Sequence, residues 1–565
     1  MVLILLSWLY ILFTSINLGI SFEKTFRIPQ NDFIVTAVLG LFTSTILGSI
    51  GAIVGRINIE FHLLLLALNG ILFYLNKNRI VEVYSFFIKK IQQLSLFLKL
   101  FLGISSLLIL AQCAALPYVV DNESYYIQTI KWLNEYGFVK GLANLHIFLG
   151  QTSGWHITQS VFNFSFLYKN LNDLSGFCLL LGNLFAVIKL NEYFDNQKKI
   201  YLIIGLLPLA NALLFQFISA PSPDIPVYIF SFIVFFYFIE NYKNPTPTDF
   251  TIIVVLSLFI LYCKPTALGI VLIPLMILIQ NFKVLKNQIV LNGTIGILVF
   301  GLFVTKNSII TGYPLYPTQL CSWFSFDFKV PKELTSFYFD ETKLYGFFLT
   351  KEEFHSISYF QLFIKWISFN KINALFNCTN CLLVVISPFI LNKYYKSKSL
   401  WILYGIMVAQ FIVLLSTSPQ FRFFIHFTLF FSILSVVCFF YKKNQIYMLL
   451  CISGCISAVL VFFPLKLNAL TTNKLIENNS YFKINQIVLP SENSKTDTIY
   501  SLKKIYNLQY YSPNDAYFWI SGNGKLPCVN ERQVDYFKTY FQYIPQQRSS
   551  NIKDGFYSKK IAPNE

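Results

Sequence analysis

Two carboxylates, Asp121 and Glu123, are separated only by Asn122 in the stretch VVDNESYY, directly after the apolar run LSLFLKLFLGISSLLILAQCAALPY that ends at Tyr118. Other polar groups sit in short breaks between later apolar runs: Asp224 in SAPSPDIP, Lys264 in CKPTA, Lys306 and Asn307 in KNSIITGYPLYP, Arg422 and His426 in STSPQFRFFIHF. His146 and His156 follow the acidic pair in GFVKGLANLHIFLGQTSGWHITQSVF. A carboxylate within reach of a hydroxyl can take its proton, and two carboxylates can share a divalent metal such as Mg²⁺ or Mn²⁺. Cations stabilise charge that develops on a departing oxygen. The planar guanidinium of Arg422 suits phosphate oxygens in particular. Taken alone, an aspartate such as Asp224 is as easily a helix cap or turn residue, and Lys306 or Arg422 an interfacial anchor. As a set, ionisable groups at membrane depth tend to mark a substrate path.

The elements that must position these residues are read from composition. The chain has 565 residues, of which 55% are hydrophobic, 18% aromatic and only 13% charged. Soluble domains carry about 25% charged residues. Apolar runs of spanning length recur along the whole chain, so the expected fold is an all-α polytopic membrane protein with about fourteen transmembrane segments. They lie near 1–21, 33–54, 60–75, 97–117, 172–190, 200–218, 225–240, 250–263, 267–281, 289–305, 379–392, 400–416, 423–440 and 446–464. The first, MVLILLSWLYILFTSINLGIS, lacks a basic leader and a small-residue cleavage site and reads as a span. Outer loops of 118–170 and 306–377 interrupt a membrane domain of 1–464, and 465–565 reads as a small extracytoplasmic α/β region. The formal charge of +17 sits in short loops, where basic residues set orientation, so nucleic acid is not an expected partner. Of ten cysteines, those inside apolar runs read as small hydrophobes. CTNC at 378–381 lacks the second pair that a zinc site needs. A disulfide between Cys321 and Cys528 is open.

Orientation follows from the loops rich in Lys and Arg. Lys24 and Arg27, the cluster from Lys77 to Lys90, Lys198 and Lys199, Lys283 and Lys286, Lys393 to Lys398, and Lys442 and Lys443 all fall on one side if the N-terminus starts outside. That side is assigned to the cytoplasm, and the long loops then face out. The assignment requires 251–281 to be two short helices meeting at CKPTA. A single bent helix would invert everything downstream. Proline removes a backbone donor and disfavours helix at the residue before it. After Asp121, SYYIQTIKWLNEYG is compatible with an amphipathic helix lying at the interface. A second such helix follows around His156, and the two would roof a cavity.

The arrangement resembles the GT-C superfamily of integral-membrane glycosyltransferases. The matching features are DNE in the first large outer loop, the helix YY…IKWLNEYG behind it, KPTA at a helix break, KNSIITGYPLYP opening a later loop, and ANLHIFLGQTSGW at 143–155. They cover roughly residues 95–430. The resemblance implies a sugar donor carried on a polyprenyl phosphate and a glycan, lipid or protein acceptor. It also implies a site on the outer face of a bilayer, here expected to be a bacterial cytoplasmic membrane. Asp121 is then the expected base and Glu123 a supporting carboxylate or metal ligand. Arg422 and Lys264 are the expected phosphate partners, with Asp224, His156, His146, Lys306 and Asn307 completing the substrate-binding set. The resemblance fixes no cofactor; a divalent metal, Mg²⁺ or Mn²⁺, would fall to Asp121 and Glu123 if one is bound. The Asp-Asn-Glu spacing departs from the adjacent acidic pair, or Glu-x-Asp, that is more familiar in that superfamily. A lipid-linked glycan polymerase or ligase, and a flippase of lipid-linked oligosaccharide, are the alternative readings.

Overall fold

The computed structural model describes residues 1–562 apart from 370, 472, 474 and 497. Backbone that leaves water must satisfy its own N–H and C=O groups, and the helix does this within one segment. Eleven helices among the described residues are long and apolar enough to cross a membrane, and three shorter apolar helices, Pro247–Cys263, Pro265–Gln280 and Ile425–Val437, accompany them. Each apolar segment expected from the sequence falls on one of these helices. The chain is thus an α-helical, multi-pass membrane protein.

Local chemistry sets several starts. The Asp32 side chain accepts hydrogen bonds from the backbone N–H groups of Ile34 and Val35, at 3.0 and 3.3 Å, and opens helix Phe33–Val54. Thr246 and Asp249 form a reciprocal capping box around Pro247, a pattern that satisfies two otherwise orphaned donors. One boundary differs from expectation. The apolar stretch 60–75 continues as helix Ile59–Gln93 of 35 residues. At 1.5 Å per residue this is about 52 Å, well beyond a hydrocarbon core of about 30 Å. Lys77, Arg79, Lys89 and Lys90 therefore ride on a helical extension and not in a loop.

Helices Val2–Thr25 and Phe33–Val54 meet backbone to backbone. A Cβ on Gly40 would lie 1.7 Å from the Ser15 carbonyl oxygen, and one on Gly19 would lie 2.0 Å from that of Thr36. Small residues at such crossings let helices approach where no hydrophobic drive separates protein from lipid. Amide pairs add polar contacts between helices. Asn183 and Asn211 each donate to the other's carbonyl oxygen, at 3.1 and 3.0 Å.

The segment 251–281 is a hairpin. Pro247–Cys263 ends at Lys264 in extended conformation. The chain then returns through a 3-10 turn, Pro265–Val271, and helix Leu272–Gln280. Its far end comes back beside the start, where Asn281 donates to the Tyr242 carbonyl at 3.0 Å and Tyr242 donates to Gln280 at 3.3 Å. The two short helices and the polar break between them match the sequence reading.

The hairpin sorts the charges by bundle end. Lys398 bonds to Gln280, Lys198 pairs with Glu240, Lys199 donates to the Tyr394 carbonyl and Lys90 pairs with Glu192. These basic residues share the end at which Tyr242 and Gln280 meet. Asp224, Lys264 and Arg422 lie at the opposite end, joined by the contacts described below.

The C-terminal region contains two antiparallel hairpins, Tyr500–Ile505 with Leu508–Pro513 and Tyr543–Gln547 with Phe556–Lys560, and helix Glu531–Phe541. Leu508, Trp519, Val529, Val534 and Phe556 are buried in one continuous core with the membrane helices. Helices Ile127–Glu135 and Gly154–Val161 form where amphipathic ones were expected. They do not lie on the surface, however, because nearly every residue in both is buried. The C-terminal region covers the first of them. Cys321 and Cys528 are both free thiols, and the CTNC residues lie on helix Ile372–Ile390.

The sorting of charges predicts sidedness. In intact cells, an impermeant thiol reagent should label Ser336→Cys and Tyr540→Cys but not Asn78→Cys or Lys396→Cys. Labelling of Lys396→Cys together with protection of Ser336→Cys would reverse the assignment.

Candidate functional site

Asp121 and Arg422, 301 positions apart in sequence, form an ion pair with Nη1 to Oδ2 at 2.5 Å. Asp121 immediately precedes a π-helical turn, Asn122–Tyr126, a geometry found often at functional sites. Tyr126 donates its hydroxyl to the same Asp121 oxygen at 3.3 Å. Arg422 lies in the 3-10 turn Phe421–Phe423, which joins helices Lys398–Thr417 and Ile425–Val437. Its backbone carbonyl accepts a hydrogen bond from Tyr228 at 2.7 Å, and its Nε donates to Gln420 at 2.9 Å. The side chains are 25% and 19% exposed for Arg422 and Asp121, so both remain reachable from outside the fold.

A second pair lies behind the first. Lys264, at the hairpin break, donates to Asp224, which is almost wholly buried at the start of helix Asp224–Asn241. The Phe423 ring touches both cations, with Lys264 Nζ 4.4 Å and the Arg422 guanidinium carbon 5.1 Å from its centre. Two acids and two bases thus neutralise one another around a single ring. Tyr338, Tyr345 and Tyr517 lie close enough to feel the charges of Asp121 and Arg422. Of these, Tyr345 and Tyr517 are exposed. Trp519 stacks on Phe148 at 4.3 Å beside them. The C-terminal region therefore supplies part of the rim.

Glu123 points elsewhere. Residues two apart on a helical turn do not share a face. Its carboxylate accepts from Asn122 Nδ2 at 3.1 Å, Ser494 Oγ at 2.7 Å, the Lys495 N–H at 2.9 Å and Thr496 Oγ1 at 2.9 Å. Its backbone carbonyl receives the N–H groups of Ser521 and Gly522. Gln128 and Lys131 extend the clasp to the carbonyls of Gly522, Asn523 and Gly524. Asp121 and Glu123 consequently do not fit a shared metal. Among the described residues no three His, Cys, Asp or Glu side chains cluster as metal ligands.

The remaining expected residues are held by partners of their own. His146 accepts from the Phe148 N–H and faces the Trp519 carbonyl, each at 3.2 Å. Burial pushes its imidazole down to about 4. His156 closes the capping box of helix Gly154–Val161. Burial, followed by the charges of Lys306 and Lys264, pushes it down to about 3. Both rings are therefore neutral at pH 7. Lys306 is buried and donates to the Thr152 carbonyl, and Asn307 donates to that of Pro314 at 3.2 Å. The structure thus brings together Asp121, Arg422, Lys264 and Asp224. It adds Tyr126, Gln420, Phe423 and the tyrosine rim, which no spacing signal in the sequence marks. Ser153, within ANLHIFLGQTSGW, bridges to the hairpin by donating to the Cys263 carbonyl at 2.5 Å.

These features define a class: a multi-pass helical membrane protein with a paired-charge site at one end of the bundle, partly roofed by its own C-terminal region. The chain belongs to the family described as a domain of unknown function, DUF8201, whose profile matches residues 1–429. No curated protein and no solved structure matches it.

The Glu123 clasp has a measurable consequence. Glu123→Ala removes the acceptor shared by Ser494, Lys495 and Thr496, and a buried donor left unmet costs about 1–3 kcal/mol, a cost that falls mainly on buried Ser494. Limited proteolysis of the purified variant should release a C-terminal fragment that the parent retains. A digestion pattern identical to the parent's would refute the clasp.

Proposed function

We propose that this chain is a membrane glycosyltransferase of the GT-C kind, acting at the outer face of a bacterial cytoplasmic membrane in cell-envelope glycan synthesis. It would move a sugar from a polyprenyl-phosphate donor to a hydroxyl on a glycan, lipid or protein acceptor. The observation that carries this reading is the partly exposed Asp121–Arg422 pair with Lys264 behind it. A proton acceptor and phosphate-binding cations stand together at the end of the bundle, where a lipid-borne donor can arrive sideways. An incoming phosphate would take over the guanidinium fork, since paired N–H donors match its oxygens. Asp121, released, accepts the acceptor hydroxyl proton. The acceptor oxygen bonds to the anomeric carbon, and the bond from that carbon to the phosphate oxygen breaks. Its electron pair stays on the phosphate, whose added charge Arg422 and Lys264 meet. Asp224 keeps Lys264 in place.

The reading is tested first by analysing lipid-linked glycans in cells lacking the chain. They should accumulate a polyprenyl-phosphate-linked sugar, and an unchanged pool would count against transfer. Asp121→Asn keeps shape and hydrogen-bonding reach but not the proton acceptor. Transfer in membranes should fall by about 10²-fold or more, the usual worth of a general base, at unchanged expression. The Asp121 side chain makes no cap to the turn that follows it, and near-normal transfer by Asp121→Asn would remove it from catalysis.

Arg422 has its own test. Arg422→Ala should weaken polyprenyl phosphate binding to the purified protein by about tenfold or more, and Arg422→Lys should recover only part, because the planar fork is lost. Equal affinity in all three proteins would take the donor site away from Arg422.

A further inference from the structure

Helix Tyr359–Ile367, sequence YFQLFIKWI, carries an apolar arc wider than the protein covers. Successive residues turn by about 100° around a helix, which sorts this one into three faces. Leu362 and Trp366 are 9% and 2% exposed and pack with Phe347 in a small satellite core. Tyr359, Phe360, Phe363 and Ile364 are 89%, 72%, 40% and 46% exposed. Gln361 and Lys365, also exposed, share the remaining edge. Such a helix of nine residues is short for stability in water on its own propensity. A capping box between Ser358 and Gln361 starts it, but that does nothing for four large apolar side chains left bare.

What covers them is indicated by the neighbouring elements. Span Ile372–Tyr395 begins five residues later, and its outward face exposes Leu375, Leu382, Val385 and Phe389. The bare face of Tyr359–Ile367 thus precedes, by a few residues, a spanning helix whose own exposed face is apolar. Its polar edge lies on another side, the arrangement of a helix lying in the plane of the interface. The same helix is tied to the site loop. Trp366 Nε1 donates to the Pro419 carbonyl at 2.8 Å, and the Trp366 carbonyl accepts from Asn377 at 2.8 Å. Pro419 is followed by Gln420, the hydrogen-bond partner of Arg422.

We propose that Tyr359–Ile367 lies in the membrane interface with Phe360, Phe363 and Ile364 among the lipid chains and Gln361 and Lys365 towards the headgroups. Through Trp366 it holds the Pro419–Arg422 loop at a fixed depth. The inference rests on exposure and tethering and stands whether or not the chain transfers a sugar.

The test uses the full chain in nanodiscs of phosphatidylethanolamine and phosphatidylglycerol. The photoreactive residue p-benzoylphenylalanine replaces Phe360, Phe363, Gln361 or Lys365 in turn, and adducts are read by mass spectrometry. Phe360 and Phe363 should yield several-fold more lipid adduct than Gln361 and Lys365. Equal yields at all four positions, or adducts to protein alone at Phe360 and Phe363, would overturn the placement. The tether is read separately by hydrogen exchange. In the double variant F360S/F363S, exchange at residues 418–423 should rise several-fold while the distant helix Leu174–Asn196 stays as in the parent. Unchanged exchange at 418–423 would overturn the tether.

Discussion

Asp224 is almost wholly buried, and a carboxylate taken out of water without a counter-ion costs several kcal/mol. Its partner Lys264 reaches it because the chain stops being helical at Lys264–Pro265 and turns back. Were 251–281 one bent helix, the segment after Lys264 would run on to the other end of the bundle, taking Gln280 and Asn281 away from Tyr242. The hairpin and the buried pair therefore require one another. Arg422 and Asp121 extend the same logic outward. They are only partly exposed, lie close to the first pair, and leave the group of four neutral as a whole.

Neutrality shapes what the site can do. A bound phosphate would bring negative charge to a place whose cations are already matched, so it must compete with Asp121 for the guanidinium. The partial exposure of this outer pair makes such an exchange cheaper than it would be at Asp224, where solvent cannot replace the lost partner. The inner pair is thus suited to hold geometry and the outer pair to exchange partners. Glu123 takes part in neither. Its buried carboxylate is satisfied by neutral donors from residues 494–496 and Asn122. That ties the C-terminal region to the helix turn that follows Asp121. Because Tyr517 and Trp519 belong to that region, the clasp also fixes one wall of the site.

The two amphipathic segments show how far periodicity reaches. The bulky positions of SYYIQTIKWLNEYG identify a helix, and a helix is there. Periodicity cannot say whether an apolar face meets lipid or protein, since both remove it from water. Here the C-terminal region, hundreds of residues downstream, encloses Ile127–Glu135. A helix left with a bare apolar face is Tyr359–Ile367, inside a loop of 306–377 that mixed composition marks only as non-apolar.

Composition and spacing alone determined the membrane class, the places of the apolar helices, the break at Lys264–Pro265 and the residue types gathered at one end of the bundle. Each depends on properties local to a short window: hydropathy over a span, a proline's missing donor, basic residues beside an apolar run. Tertiary structure alone decided which charges pair. Asp121 meets Arg422 across 301 positions, and Lys264 meets Asp224 across 40. It also decided that Asp121 and Glu123, so alike in sequence, serve different ends, because a helical turn sends neighbours two apart to opposite faces. What each face meets depends on the packing of distant segments.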